Sequence, residues 1–278
     1  MNLGIRFHDT KKLPLEERIE EVKNQGFGCA HVALSKALEG ICVADGALTP
    51  GFAMYLKRQF AKNDLDIAVL GCYLNLANPN KEQLEKTQHK YMAHIRFASL
   101  AGVGVVGTET GAPNETYTTC PECRSEEALE QFIEGLRPVV EYAEKMGVIM
   151  AIEPVVRHIV YDAKRARKVL DAINSPNLMI IFDPVNLLDE SNCDRHQEII
   201  RETIELLGQD VAMVHIKDYR IEDGKMVSCA AGTGNMHYEE LLSWMKKEKP
   251  FIHATLEDTV PENAVQARKY IQDIWDRA

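Results

Sequence analysis

The sequence predicts an α/β protein in which eight parallel strands, each followed by a helix, close into a (β/α)8 barrel, the TIM-barrel architecture. Three observations carry that expectation. Eight short apolar runs recur along the 278 residues, rich in Val, Ile, Leu and Ala and without the strict alternation of a sheet with one wet face. Helical patterns separate them. The first two strand ends lack the glycine-rich phosphate turn that a doubly wound open sheet, the competing architecture, would carry there. No long linker or low-complexity tract breaks the rhythm, so a single barrel domain over 1–278 is expected.

In order, the runs are "LGIRFH" from Leu3, "GCAHVAL" from Gly28, "DIAVLGCYL" from Asp66 and "GVGVVGTETG" from Gly102. Then come "GVIMAIEP" from Gly147, "NLMIIFDP" from Asn177, "VAMVHIKD" from Val211 and "FIHATLED" from Phe251. The helix between the fourth and fifth runs is the most legible. Ser125 can cap it, Glu126 and Glu127 suit its first turn, and Leu129, Phe132, Ile133, Leu136, Val140 and Ala143 recur at helical spacing. Gly147 is a natural stop, and Pro138 inside the stretch is expected to kink it. Helices are also predicted over 81–101, 162–173, 196–207, 237–248 and 262–276.

Composition narrows the class. The 45% apolar and 27% charged residues are those of a soluble globular protein. A formal net charge of -10 repels phosphate backbones, which argues against a nucleic-acid partner. No apolar run approaches the roughly 20 residues needed to span a bilayer. "MNLGIRFHDTKK" does not read as a secretory signal, so no membrane partner and a cytoplasmic location are expected. The seven cysteines are scattered and odd in number. Cys120 and Cys123 form the one close pair, and without two further ligands they read as reduced thiols rather than a zinc site.

In barrels of this kind the active site lies at the carboxyl ends of the strands. The fifth run ends in Glu153 and the sixth in Asp183, with Asn186 just beyond. The seventh ends in His215, Lys217, Asp218 and Arg220, and the eighth in Glu257 and Asp258. A lone glutamate at a strand end is more often a cap or an ion-pair partner. Four metal-capable side chains ending four successive strands are another matter. Three carboxylates and an imidazole raise one another's proton affinity when buried together, and a divalent cation ligated by Glu153, Asp183, His215 and Glu257 removes that cost. The donor set suits manganese, magnesium, cobalt or zinc.

"IEP", "FDPVN", "HIKD" and "LED" at these four ends resemble the xylose-isomerase-like barrels, and within them the sugar phosphate isomerase/epimerase group that includes tagatose 3-epimerases, inosose isomerases and inosose dehydratases. The resemblance implies one divalent ion, manganese foremost, on those four ligands, with Glu153 and Glu257 doubling as proton-transfer residues. It implies isomerisation or epimerisation of a keto-sugar, keto-inositol or related keto-glycoside. Removing a proton beside a ketone creates an enediolate whose charge a chelated cation stabilises, and carboxylates on opposite sides of the carbon let the proton leave one face and return to the other. Dimers and tetramers are common in the group, so a homo-oligomer is expected.

One departure stands out. Many members carry a histidine three positions after the strand-six aspartate, where this chain has Asn186. Substrate contacts are expected from Asn186, Lys217, Arg220, Arg157, His8 and Glu109. Lys217 as an acid toward a departing group would give a lyase, the alternative reaction. An apurinic endonuclease needs more histidine ligands, and His31, His89, His94, His196, His237 and His253 form no evident second site. A non-catalytic sugar-binding barrel is the remaining alternative. "AGTGN", ending at Asn235, offers backbone N–H groups for an anion. "TETGAPNETYTTCPEC", from Thr108, is long enough to be a lid.

Overall fold

Each apolar run becomes a strand in the computed structural model, which describes residues Met1–Ala278. In chain order the strands are β1 (Asn2–Arg6), β2 (Cys29–Val32), β3 (Asp66–Gly71), β4 (Val105–Glu109), β5 (Ile149–Glu153), β6 (Leu178–Phe182), β7 (Val211–Ile216), β8 (Asp218–Glu222), β9 (Lys225–Cys229) and β10 (His253–Leu256). Eight of them close a barrel in the order β1-β10-β7-β6-β5-β4-β3-β2, all neighbours parallel. The other two, β8 and β9, were not anticipated: they form an antiparallel hairpin outside the barrel.

Nine helices follow: α1 (Leu15–Asn24), α2 (Leu34–Ala37), α3 (Pro50–Lys62), α4 (Lys81–Ala101), α5 (Glu126–Met146), α6 (Ala163–Ile173), α7 (His196–Leu207), α8 (Glu239–Glu248) and α9 (Ala264–Arg277). The Ser125 hydroxyl accepts from the Ala128 N–H at 3.0 Å to open α5, and Gly147 closes it at φ 65°, a left-handed position that costs glycine little. The helix runs unbroken through Pro138. Asp162 proves to be the cap of α6 rather than its first residue, its carboxylate accepting from the Arg165 N–H at 2.8 Å. No helix is long and apolar enough to cross a membrane.

Two apolar layers result. A cluster of 73 buried residues lies between strands and helices, and a small one of Cys29, Ala68, Val69, Ala151, Ile181 and Met213 fills the barrel interior. Side chains alternate along a strand, so the residue two places past an interior one also points inward, one level nearer the mouth. Counting on two from Cys29, Val69, Ala151, Ile181 and Met213 gives His31, Gly71, Glu153, Asp183 and His215. The other three strands supply Arg6, Glu109 and Glu257 at that level. The barrel is plugged by apolar side chains, and the layer above the plug is polar.

Candidate active site

The sequence-predicted quartet meets in this layer, with all four members buried. Glu153 Oε1 accepts from His215 Nδ1 at 3.0 Å and from the Asn186 amide at 2.8 Å. Glu257 Oε1 lies 3.4 Å from the same His215 nitrogen, and its Oε2 faces Arg6 at 3.2 Å and Lys217 Nζ at 3.3 Å. Asp183 Oδ1 accepts from the backbone N–H groups of Val185 and Asn186, a local turn that Pro184 after the strand helps set. Its Oδ2 stands 2.9 Å from Lys217 Nζ.

Electrostatics follow from that packing. Burial pulls the His215 proton affinity down, but Glu257 and Glu153 outweigh it and hold the imidazole at about 9. Burial raises Glu257, yet His215 and Lys217 outweigh it and keep this carboxyl well below its usual range. Burial raises Asp183, only partly offset by Lys217. Imidazolium, ammonium and the Arg6 guanidinium together balance the carboxylates.

The donors fit a divalent cation. Asp183 Oδ2, His215 Nε2 and His31 Nδ1 are buried without a hydrogen-bond partner, a costly arrangement that an ion would relieve. At 2.9 Å Lys217 attracts Asp183 Oδ2 by charge without meeting hydrogen-bond angles. One ligand atom from each of Glu153, Asp183 and His215 lies within 4.8 Å of the others, and the same holds for His31, His215 and Glu257. The two trios share His215. Lys217 Nζ stands between Asp183 and Glu257, so it must swing aside for one ion to reach all four.

A cavity of ≈ 300 Å³ opens above the quartet. His8, Glu109, Asn186 and Lys217 line it, as the sequence led one to expect. Burial lowers His8 to about 3, which keeps it neutral and able to meet a sugar hydroxyl. Tyr117, carried by the segment after β4, donates to Glu109 Oε2 at 3.4 Å and adds to the wall.

Arg157 and Arg220 do not line it, which corrects their expected place. Arg157 is exposed on the loop after β5. Arg220 lies on β8, half exposed, and pairs with Glu222 at 3.3 Å. The hairpin carries it away from the mouth. Asp218 is structural: its carboxylate accepts from the N–H groups of Tyr219, Gly232, Gly234 and Met236. Of the backbone donors of "AGTGN", Gly232 and Gly234 are thus spent on Asp218, and Thr233 and Asn235 on the carbonyls of Ala230 and Tyr219. Cys120 and Cys123 stand 3.8 Å apart as free thiols.

Besides Tyr117, four residues of the site were not anticipated. Arg6 ion-pairs with Asp9, Glu257 and Asp258. His31, fully buried, stacks on His215 with ring centroids 5.1 Å apart and places Nδ1 3.5 Å from Glu257 Oε1. Tyr73 hydroxyl meets His31 Nε2 at 2.9 Å, and Lys36 lines the rim. A side chain at Gly71 would sit 2.6 Å from His31 Nε2 and 2.7 Å from the Tyr73 ring, so the glycine is what lets the pair form. A signal was present: an arginine in "LGIRFH" and a histidine in "GCAHVAL" are as anomalous inside buried strands as His215 is in "VAMVHIKD".

The match of residues 19–274 to the family described as the xylose isomerase-like TIM barrel decides the relationship. The chain belongs to that family. No curated protein matches it in sequence. Among solved structures, a D-tagatose 3-epimerase-like protein is similar with a TM-score of 0.76 at 19% identity, over 100% of this chain and 98% of that one. The probable 3-DHS dehydratase AsbF of Bacillus anthracis gives 0.75 at 13% identity, over 100% of both chains. IolI, solved with a bound zinc atom, gives 0.73 at 17% identity, over 100% of this chain and 99% of that one. At such identities the likeness establishes the family's barrel, and activity has to be argued from the site.

Proposed function

We propose that this member of the family is a divalent-metal-dependent isomerase or epimerase acting on a keto-sugar, keto-inositol or related keto-glycoside. One observation carries the reading: Glu153 and Glu257, from strands three staves apart, converge on His215 Nδ1 at 3.0 and 3.4 Å on the wall of one cavity, with Asp183 buried between. Two carboxylates on different sides of a bound carbon are what stereochemical inversion by proton transfer requires.

Glu153, Asp183, His215 and Glu257 would hold the ion, and manganese, magnesium, cobalt and zinc all suit them, manganese being the first to test. Such an ion would supply positive charge to offset the negative charge that develops beside the ketone when the neighbouring C–H bond breaks. The protein does the rest. Asn186 fixes Glu153 Oε1 through its amide, which aims that carboxylate as the base. Glu257, paired with Arg6 at 3.2 Å, serves the opposite face of the carbon. His8 and Tyr117 are placed to meet hydroxyls, and Glu109 faces Glu153 across the β4–β5 register.

A lyase would share the first step and then need an acid for the departing group. Lys217 is poorly suited to that role: burial lowers its proton affinity, but Asp183 and Glu257 outweigh this and raise it, so the ammonium gives up its proton reluctantly. The test is a ketose panel in deuterated water with metal-loaded protein. Solvent deuterium on the carbon beside the ketone, with product mass otherwise conserved and the exchange lost in Glu257→Gln, supports isomerisation. Loss of water mass selects the lyase, and exchange undiminished in Glu257→Gln sinks the assignment of that residue.

A further inference from the structure

Beside the active-site cavity lies a second one of ≈ 240 Å³, between α2 with the segment after it and helix α4. The two share a wall made of Lys36 and Tyr73. That wall is close to the chemistry, because Tyr73 hydroxyl contacts His31 Nε2 at 2.9 Å and His31 Nδ1 lies 3.5 Å from Glu257. A molecule held between Glu153 and Glu257 therefore has, on the wall of its own cavity, two residues that also line the second one.

The two cavities differ in how their charges are paired. The active-site layer contributes carboxylates, and its cations are already committed: Arg6 to Asp9, Glu257 and Asp258, and Lys217 to Asp183 and Glu257. Lys36 pairs with no carboxylate, and its ammonium instead lies 5.3 Å from the centre of the Tyr73 ring. Across the second cavity Lys90 is also without a carboxylate partner, and none of the 11 lining residues is acidic. Asp45, whose field reaches His94, is not part of that lining. His94 itself is buried and donates its Nδ1 proton to the Lys90 carbonyl at 2.8 Å, which leaves Nε2 as an acceptor for a hydroxyl. Two free ammonium groups and one hydroxyl acceptor, in a chain of net charge -10, describe a place for an anion that also carries hydroxyls.

We propose that this cavity is a substrate subsite for an anionic group, a phosphate monoester or a carboxylate, borne by the end of the sugar remote from its ketone. The identity of the ligand as a keto-sugar rests on the function proposed above; the anion site does not. In this arrangement the quartet reads the keto end and Lys36 with Lys90 reads the charged end, so the substrate is a sugar phosphate or a sugar acid rather than a neutral hexose.

The test uses the full chain, metal-loaded, titrated with inorganic phosphate by calorimetry against chloride at matched ionic strength. Saturable phosphate binding is expected, weakened at least about tenfold in Lys90→Met and again in Lys36→Met. Lys90 lies outside the catalytic layer, so Lys90→Met is expected to keep its metal. Displacement of phosphate by fructose 6-phosphate or by galacturonate then tells which anion is preferred. Absent saturation, unchanged affinity in Lys90→Met, or failure of both sugars to compete overturns the subsite. Metal content measured on the same samples keeps the outcomes apart: a metal-free wild type indicts the active-site reading, and metal without phosphate indicts only the subsite.

Discussion

The two halves of the barrel mouth are built from different chemistry at the same level. Strands β5, β6, β7 and β10 present Glu153, Asp183, His215 and Glu257, whereas β1, β2, β3 and β4 present Arg6, His31, Gly71 and Glu109. The first set is three carboxylates and an imidazole buried together, the proposed ligands of an ion. The second set supplies an arginine against Glu257, a neutral imidazole stacked on His215, and an empty position that admits the Tyr73 ring. Burial outweighs the pull of Glu257 on His31 and lowers it to about 4, so this ring packs on His215 as a neutral imidazole and adds no charge. The lesson is that the two glutamates proposed to react are packed against, and paired with, residues from the opposite half of the barrel.

Breaking the ligand half should have the largest effect. Glu257→Gln is expected to reduce substrate C–H exchange by about 10³-fold, within the range of a lost general acid–base group, read by deuterium incorporation. Breaking the supporting half comes next. Arg6→Leu strips Glu257, Asp9 and Asp258 of their shared partner and should cost about 3 kcal/mol of stability, measured by denaturant unfolding. His31→Gln should keep the metal and lower exchange by about tenfold, as expected of a residue that orients a ligand.

pH sharpens the contrast, because it acts on the halves in opposite directions. In the metal-free protein His215 titrates at about 9 against an ordinary 6.5, so the stability it lends is complete below 6.5 and is lost as pH rises through 9. His8 and His31 are lowered to about 3 and 4, so their contribution is complete above 6.5 and is lost as pH falls toward those values. Melting temperature should therefore fall on both sides of neutrality, with His215→Gln flattening the alkaline limb. An unchanged alkaline limb in that variant would contradict the pairing. The smallest effects are expected outside the mouth: Arg157→Ala and Arg220→Ala should leave exchange within about twofold of wild type, as surface substitutions do.

Much of this was readable in advance, and the exceptions have physical reasons. The barrel strands show because parallel strands covered on both faces leave unbroken apolar runs, and α5 shows because its caps are local. The quartet shows because charge at the end of such a run is conspicuous. Arg6, the last residue of β1, and His31, inside β2, were passed over because each is an isolated polar residue between apolar neighbours in a short run rather than one of a cluster. Arg220 was misplaced because the hairpin of β8 and β9 is organised by Asp218, whose backbone donors lie up to 18 positions away in sequence. Nothing local announces that bond. The contact of Lys217 with Asp183 spans neighbouring staves and likewise depends on the closed barrel.

The most direct test of the proposed metal site is elemental mass spectrometry on protein purified without chelator. About one manganese, magnesium, cobalt or zinc ion per chain, lost in Asp183→Ala and retained in His31→Gln, is the result expected if β5, β6, β7 and β10 hold the ion and β2 only orients Glu257. A protein that takes up no divalent ion even after loading would contradict it, and would leave the quartet as a buried ion-pair cluster neutralised by Lys217, His215 and Arg6.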